Sequence, residues 1–352
     1  MMKRLVDLSV AGNEASDLLR VESPEILAAL GARAAYWTVL DEGPVEDCLA
    51  VLAVGDDGWH TRHLPAIAGT HTGRTEDGEA LARHDGWVYV IGSHFGSKSG
   101  PLRPKRAFVA RFTESLTPRL QVVRHRFTLH RLVNEALRRL AEAGHPAAPE
   151  PPADRVHATF IEQTRRRGEA KAKQWVGDLR TGDHPINVEG AAFTPAGTLL
   201  LGLRWPVSTA GEPLLVEIAG IPGMFGETPV PLSVVAVYAL TGVGPGPLGV
   251  RALAPRPGVP GDYDVIVGSI DALGKNSVLI EEHPRARDAT CAHLRFTLSG
   301  DRPVEVKPVL VADLAPLHHV EGVAELDGSP LYVTDEDHRV ALWAHHTSAS
   351  AR

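Results

Sequence analysis

Apolar residues in this chain fall in short runs separated by polar residues, glycine and proline, and three of these runs recur in the same setting. Asp77-Gly78-Glu79-Ala80-Leu81-Ala82 leads to Val88-Tyr89-Val90-Ile91-Gly92-Ser93-His94. Asn187-Val188-Glu189-Gly190-Ala191-Ala192 leads to Leu199-Leu200-Leu201-Gly202-Leu203-Arg204. His319-Val320-Glu321-Gly322-Val323-Ala324 leads to Leu331-Tyr332-Val333-Thr334-Asp335-Glu336. Each unit is a glutamate, a small residue, an apolar stretch, a glycine-containing turn and a second apolar stretch. The turns hold Asp85-Gly86, Ala196-Gly197 and Asp327-Gly328. This pattern predicts a two-stranded hairpin. The spacing is constant, with Glu79, Glu189 and Glu321 each standing 15 residues before His94, Arg204 and Glu336. Weaker copies of the second strand occur at Tyr36-Trp37-Thr38-Val39-Leu40-Asp41-Glu42 and Tyr263-Asp264-Val265-Ile266-Val267-Gly268-Ser269, without a Glu-Gly at the matching place.

One region departs from this period. Leu129, Leu132, Val133, Ala136, Leu137 and Leu140 lie at helical spacing between Thr128, a plausible N-cap, and the stop formed by Gly144 and Pro146. A proline-rich linker over 145–153 follows, and the polar, basic stretch 154–175 predicts a second helix. Residues 128–176 therefore read as a helical insertion. The remaining chain, at ~45–50 residues per repeat, makes about six units, with seven as the alternative. The expected fold is all-β, a β-propeller of about six four-stranded blades in a single domain over 1–352, its edges protected by radial closure.

That geometry gives the 15-residue spacing a meaning. The inner strand of a blade starts near the axis and the second strand returns beside it, so the start of one lies next to the end of the other. Glu79 is expected near His94, Glu189 near Arg204, and Glu321 near Asp335 and Glu336, all toward one mouth of the channel. Two readings follow. The glutamates either accept backbone N–H bonds from the neighbouring blade and lock blades together, or they form a ligand site. In the second reading Glu79, Glu189, Glu321 and His94 are the candidate catalytic groups, His94 as general acid or base. Asp335, Glu336, Asp41 and Glu42 supply hard oxygen ligands for Ca²⁺ or Mg²⁺. Arg204, Lys98, Arg103, Lys105 and Lys275 hold an anion.

Composition narrows the classes. The chain has 352 residues, 43% of them hydrophobic, with 34 glycines and 27 prolines, which suits a turn-rich β protein with a real core. A net charge of −7 argues against a general nucleic-acid binder. No apolar run is long enough to span a bilayer and the start of the chain lacks a secretory-signal pattern, so a cytoplasmic location without membrane contact is expected. Cys48 and Cys291 make no metal-ligand spacing and read as buried thiols. The Arg165-Arg166-Arg167 run with Lys171 is either a solvated helix face or a docking element.

The same residues carry a family resemblance. Asp77 to Arg106, Asn187 through Trp205-Pro206, and Glu321-Gly322 through Asp335-Glu336 resemble the bacterial domain-of-unknown-function family thirty-six sixteen, of the β-propeller group. Ala80 departs from it, since the other two repeats have glycine there. The resemblance implies the propeller but supplies no activity. A more distant likeness to esterase-like phytase propellers is one of fold. The function expected is binding or hydrolysis of an anionic or phosphorylated small molecule at the glutamate-rich face, with a divalent metal. The alternative is a non-catalytic module that docks a protein partner through the propeller face and the insertion.

Overall fold

The hairpin turns set the strand pairing. Asp85 and Gly86 have φ of 49° and 74°, and Asp327 and Gly328 have 50° and 75°. Two successive positive φ values make the type I′ turn whose twist matches the strands it joins. These turns lie within a computed structural model that describes residues 2–9, 15–40, 43–228, 230–271, 277–335 and 339–345.

Those residues form five antiparallel sheets. Blade I is Ala15–Arg20, Ala32–Leu40, Leu49–Gly55 and Gly58–His63. Blade II is Gly78–His84, Trp87–Gly92, Val109–Phe112 and Gln121–Val123. Blade III is Asn187–Phe193, Leu199–Trp205, Leu214–Ala219 and Ser233–Leu240, with the short parallel strand Glu305–Val306 on its outer edge. Blade IV is Gly249–Pro255, Asp262–Gly268, Ala292–Thr297 and Val309–Asp313. Blade V is Val320–Leu326, Ser329–Asp335 and Val340–His345, and its outer strand is Met2–Leu8 from the other end of the chain.

The first strand of each blade contacts the first strand of the next, in the order I, II, III, IV, V and back to I. The chain is thus a closed propeller. Its apolar core lies between faces of adjacent blades. Val88 and Phe112 of blade II pack with Trp37 and Val51 of blade I, and Tyr89 and Ile91 of blade II pack with Val188 and Leu201 of blade III.

The blade number corrects the expectation of six. Inner strands begin at residues 15, 78, 187, 249 and 320, so a blade takes about 60 residues even without the insertion. The connections account for the excess. Helix Pro24–Leu30 fills the first hairpin of blade I, and a segment with helix Val278–Glu282 separates the second and third strands of blade IV. The insertion itself runs from the end of blade II to the start of blade III, over 124–186. It holds helix Thr128–Glu142, then a continuous helix over 154–169 that widens to π-type hydrogen bonding at His157–Glu162.

These additions build a cap on the face where the inner strands start. Phe95, Phe127, Phe160, Trp205 and Leu279 meet there in an apolar cluster of their own. The cap draws on blades II, III and IV together with the insertion.

Candidate functional site

Each inner strand contains a bulge at the same place, where one or two residues on it face a gap in its partner's register. The bulge residues are Asp17 (with Leu18), Glu79, Glu189, Arg251 and Glu321. A bulge turns a side chain out of the pleat, and five of them around the ring give five ionisable groups at one level of the channel: four acids and one arginine.

Arg251 organises them. Its side chain is 1% exposed, with Nη1 3.2 Å from Glu189 Oε2 and Nη2 hydrogen-bonded to Glu321 Oε1. Arg204 donates from Nη1 to Glu189 Oε1, and its Nε bonds the Ser269 carbonyl at 3.1 Å. Glu321 accepts from Ser16 Oγ at 3.3 Å. Burial alone would lower the Arg251 pKa, but Glu189, Glu321 and, more weakly, Glu79 raise it above the usual arginine value. Burial raises Glu321, with Arg251 opposing and Glu189 adding to the rise.

Asp17 is the backbone-bonded member. Its carboxylate accepts N–H bonds from Leu18 and from Leu81 of blade II, both at 2.7 Å. Burial nevertheless pushes its pKa up to about 7, against those two bonds. This is the latch expected of the repeat acids, made here by an aspartate outside the three recognised repeats.

The candidate residues fall in several places. Glu189 meets Arg204 directly. His94 sits against the insertion: Nδ1 is 2.6 Å from the Gly92 carbonyl, Nε2 is 3.1 Å from His125 Nε2, and the two rings stack with centroids 4.9 Å apart. Burial holds His94 down at about 4, the Gly92 carbonyl partly opposing, and takes His125 well below the usual histidine value, so both rings are neutral. The partners of Glu321 are on blades IV and I, while Asp335 bonds through its backbone N–H to the His319 carbonyl at 3.0 Å. Asp41, Glu42, Glu336 and Lys275 lie outside the described residues. Among the described residues no group of three or more His, Cys, Asp or Glu side chains is placed to hold a metal ion. Cys48 and Cys291 are buried free thiols.

The basic candidates separate. Arg204 belongs to the channel network. Lys98 ties the cap together through its carbonyl, which accepts from the Val278 N–H at 3.3 Å. Arg103 and Lys105 line an off-axis cavity of about 530 Å³ between the 96–106 loop of blade II and the insertion. Five further cations line it: Arg124, Arg126, Arg167, Lys171 and Lys173. The other walls are Gly100, Pro101, Leu102, Pro104 and Trp175, with Ser97 and Thr164. Among the described residues no carboxylate and no histidine lines it.

These cations are poorly compensated. Arg103 pairs with Glu76, and Lys105 donates to the Gly73 carbonyl at 3.1 Å. Among the described residues the other five have no carboxylate partner. Burial lowers the Arg124 pKa, and the neighbouring charges of Arg126 and Arg74 lower it further. Arg126 also holds a left-handed backbone, φ 57°, which costs a non-glycine residue of order 1 kcal/mol. Both hydroxyls are engaged locally, Ser97 with the Gly100 carbonyl and Thr164 with the Phe160 carbonyl and the Leu102 N–H.

Part of this was visible in the chain. Arg167 stands in the last turn of the helix and Lys171 two residues past its end, whereas Arg165 turns to Glu162 and Glu169. Arg124 and Arg126 flank His125, so alternate side chains face the cavity and the interior. Their meeting with Arg103 and Lys105 is a tertiary event without a local signal.

No protein-family model and no curated protein matches the chain. Solved structures resemble it weakly. An endo-arabinase from Bacteroides thetaiotaomicron is 9% identical, with 99% of this chain and 100% of that one covered and a TM-score of 0.45. An alpha-L-arabinofuranosidase from Clostridium thermocellum is 10% identical, with 91% and 81% covered and a TM-score of 0.41. A glucose dehydrogenase is 15% identical, with 97% and 84% covered and a TM-score of 0.33. The propeller architecture stands on the sheet order and the closed ring of inner strands.

Proposed function

We propose that this propeller binds an anionic, phosphorylated small molecule in the cavity between blade II and the helical insertion. The observation that carries the reading is seven cationic side chains around about 530 Å³ with no lining carboxylate among the described residues. Holding like charges together costs free energy in the empty protein, and an anion removes that cost on binding. Arginine forks suit phosphoryl oxygens in particular. The volume falls within the ~300–1,000 Å³ of small-molecule sites.

The reading is binding without turnover at this cavity. Hydrolysis needs a group to activate water, and among the described residues neither a carboxylate nor a histidine lines the space. Of the channel acids, Glu189 and Glu321 are held by Arg251 and Arg204, and Asp17 by backbone donors. Calorimetric titration with inorganic pyrophosphate at low ionic strength tests the proposal. Saturable binding is expected, weakened at least tenfold by Arg124→Glu or Arg167→Glu with the fold intact by circular dichroism. Absence of binding, or equal affinity in both variants, overturns it.

A further inference from the structure

The cavity is not lined by cations alone. Pro101, Leu102 and Pro104 are interleaved with Arg103 and Lys105 on the blade II loop, and Trp175 follows Lys171 and Lys173 in the insertion. A ligand that was only a phosphate would leave this apolar share of the wall in water.

Trp175 is the informative member. It lies in the 3₁₀ turn Gln174–Asp178, directly after a stretch of exposed residues with two lysines. An indole there is only partly buried, yet its position is fixed. It meets Phe127 in an edge-to-face contact, centroids 5.0 Å apart and planes at 64°. Gly168 makes room for it on the helix: a Cβ on that glycine would come within 2.7 Å of Trp175 Cη2 and 2.5 Å of Val176 Cγ2. A rigid aromatic at the wall of a charged cavity is a stacking platform prepared before the ligand arrives, and bases stack on such platforms whatever their identity.

We infer that the ligand is a nucleoside polyphosphate, its base on Trp175 and its phosphoryl groups among Arg124, Arg126, Arg167 and the two lysines. The charge count favours a chain of phosphates over a single one. A monophosphate brings about two negative charges at neutral pH, fewer than the six lining cations that have no carboxylate partner among the described residues. One phosphorylated nucleoside also suits the volume. The inference rests on the anion-binding reading above and names the class of anion.

Calorimetry with ATP, ADP and inorganic tripolyphosphate, without metal, separates the two. ATP is expected to bind at least tenfold more tightly than tripolyphosphate of similar charge, in keeping with about one stacked base. Trp175→Ala should erase that difference while leaving the tripolyphosphate affinity within twofold, and Trp175→Phe should keep most of it. Equal affinity of wild-type protein for ATP and tripolyphosphate overturns the nucleoside and leaves the anion site standing. So does a Trp175→Ala protein, folded by circular dichroism, that loses both ligands in equal measure. Binding of neither compound by wild-type protein overturns the anion site itself.

Discussion

The channel and the cavity use the same kinds of side chain to opposite ends. In the channel, Arg251 and Arg204 each meet a carboxylate and are nearly buried. In the cavity, arginines and lysines stand near one another and, among the described residues, only Arg103 meets a carboxylate, in a chain whose overall charge is −7. Paired buried charges hold a geometry, and breaking such a pair leaves the other charge uncompensated. Unpaired charges that face a cavity hold nothing in the empty protein, so their place is explained by what enters. A count of charged residues therefore does not locate a site; the state of their pairing does.

The largest test of this contrast is in the channel. Arg251→Met should cost about 3–5 kcal/mol, because Glu321 loses its arginine and Glu189 keeps only Arg204. Urea unfolding midpoints measure it, and a loss below about 1 kcal/mol would show that the network is not a latch. Asp17 comes next. Its folded pKa of about 7 lies above the ordinary 3.8, so the folded state keeps a proton that the unfolded state releases. The stability it contributes is complete below pH 3.8 and is lost as pH rises through 7. Asp17→Asn should flatten that part of the stability–pH curve between pH 4 and 7, and an unchanged slope assigns it elsewhere.

The smallest effect belongs to the cavity. Arg126→Gly should stabilise the empty protein by a few tenths to about 1 kcal/mol, through relief of a positive φ and of repulsion on Arg124. It should also weaken pyrophosphate binding. A gain in stability with a loss of affinity is the signature of a residue kept for a ligand, and a loss of both would place Arg126 with the structural charges.

Sequence periodicity showed the propeller and the three clearest inner strands, because glutamate, glycine and an Asp-Gly turn repeat there at fixed spacing. It missed two blades' bulge residues for a physical reason. Blade I carries helix Pro24–Leu30 in its hairpin and blade IV a longer turn, which breaks the 15-residue offset. Asp17 and Arg251 also replace glutamate with other charges. Three acids thus looked like a reactive cluster, while the arginine that neutralises two of them had no visible place in the repeat. The cavity was legible only in fragments, such as Arg103 with Lys105 and the basic run ending in Arg167. Its partners come from segments that meet only once the insertion folds onto blade II.

Blade V joins Met2–Leu8 to Val340–His345. During synthesis the leading strand therefore emerges long before the strand it must pair with exists. Until residues 320–345 have left the ribosome, it presents an unpaired edge, and blades I and IV each lack a neighbour. The nascent protein is an open arc that waits for closure, and a chain stalled late in translation would expose that arc to aggregation and to chaperones.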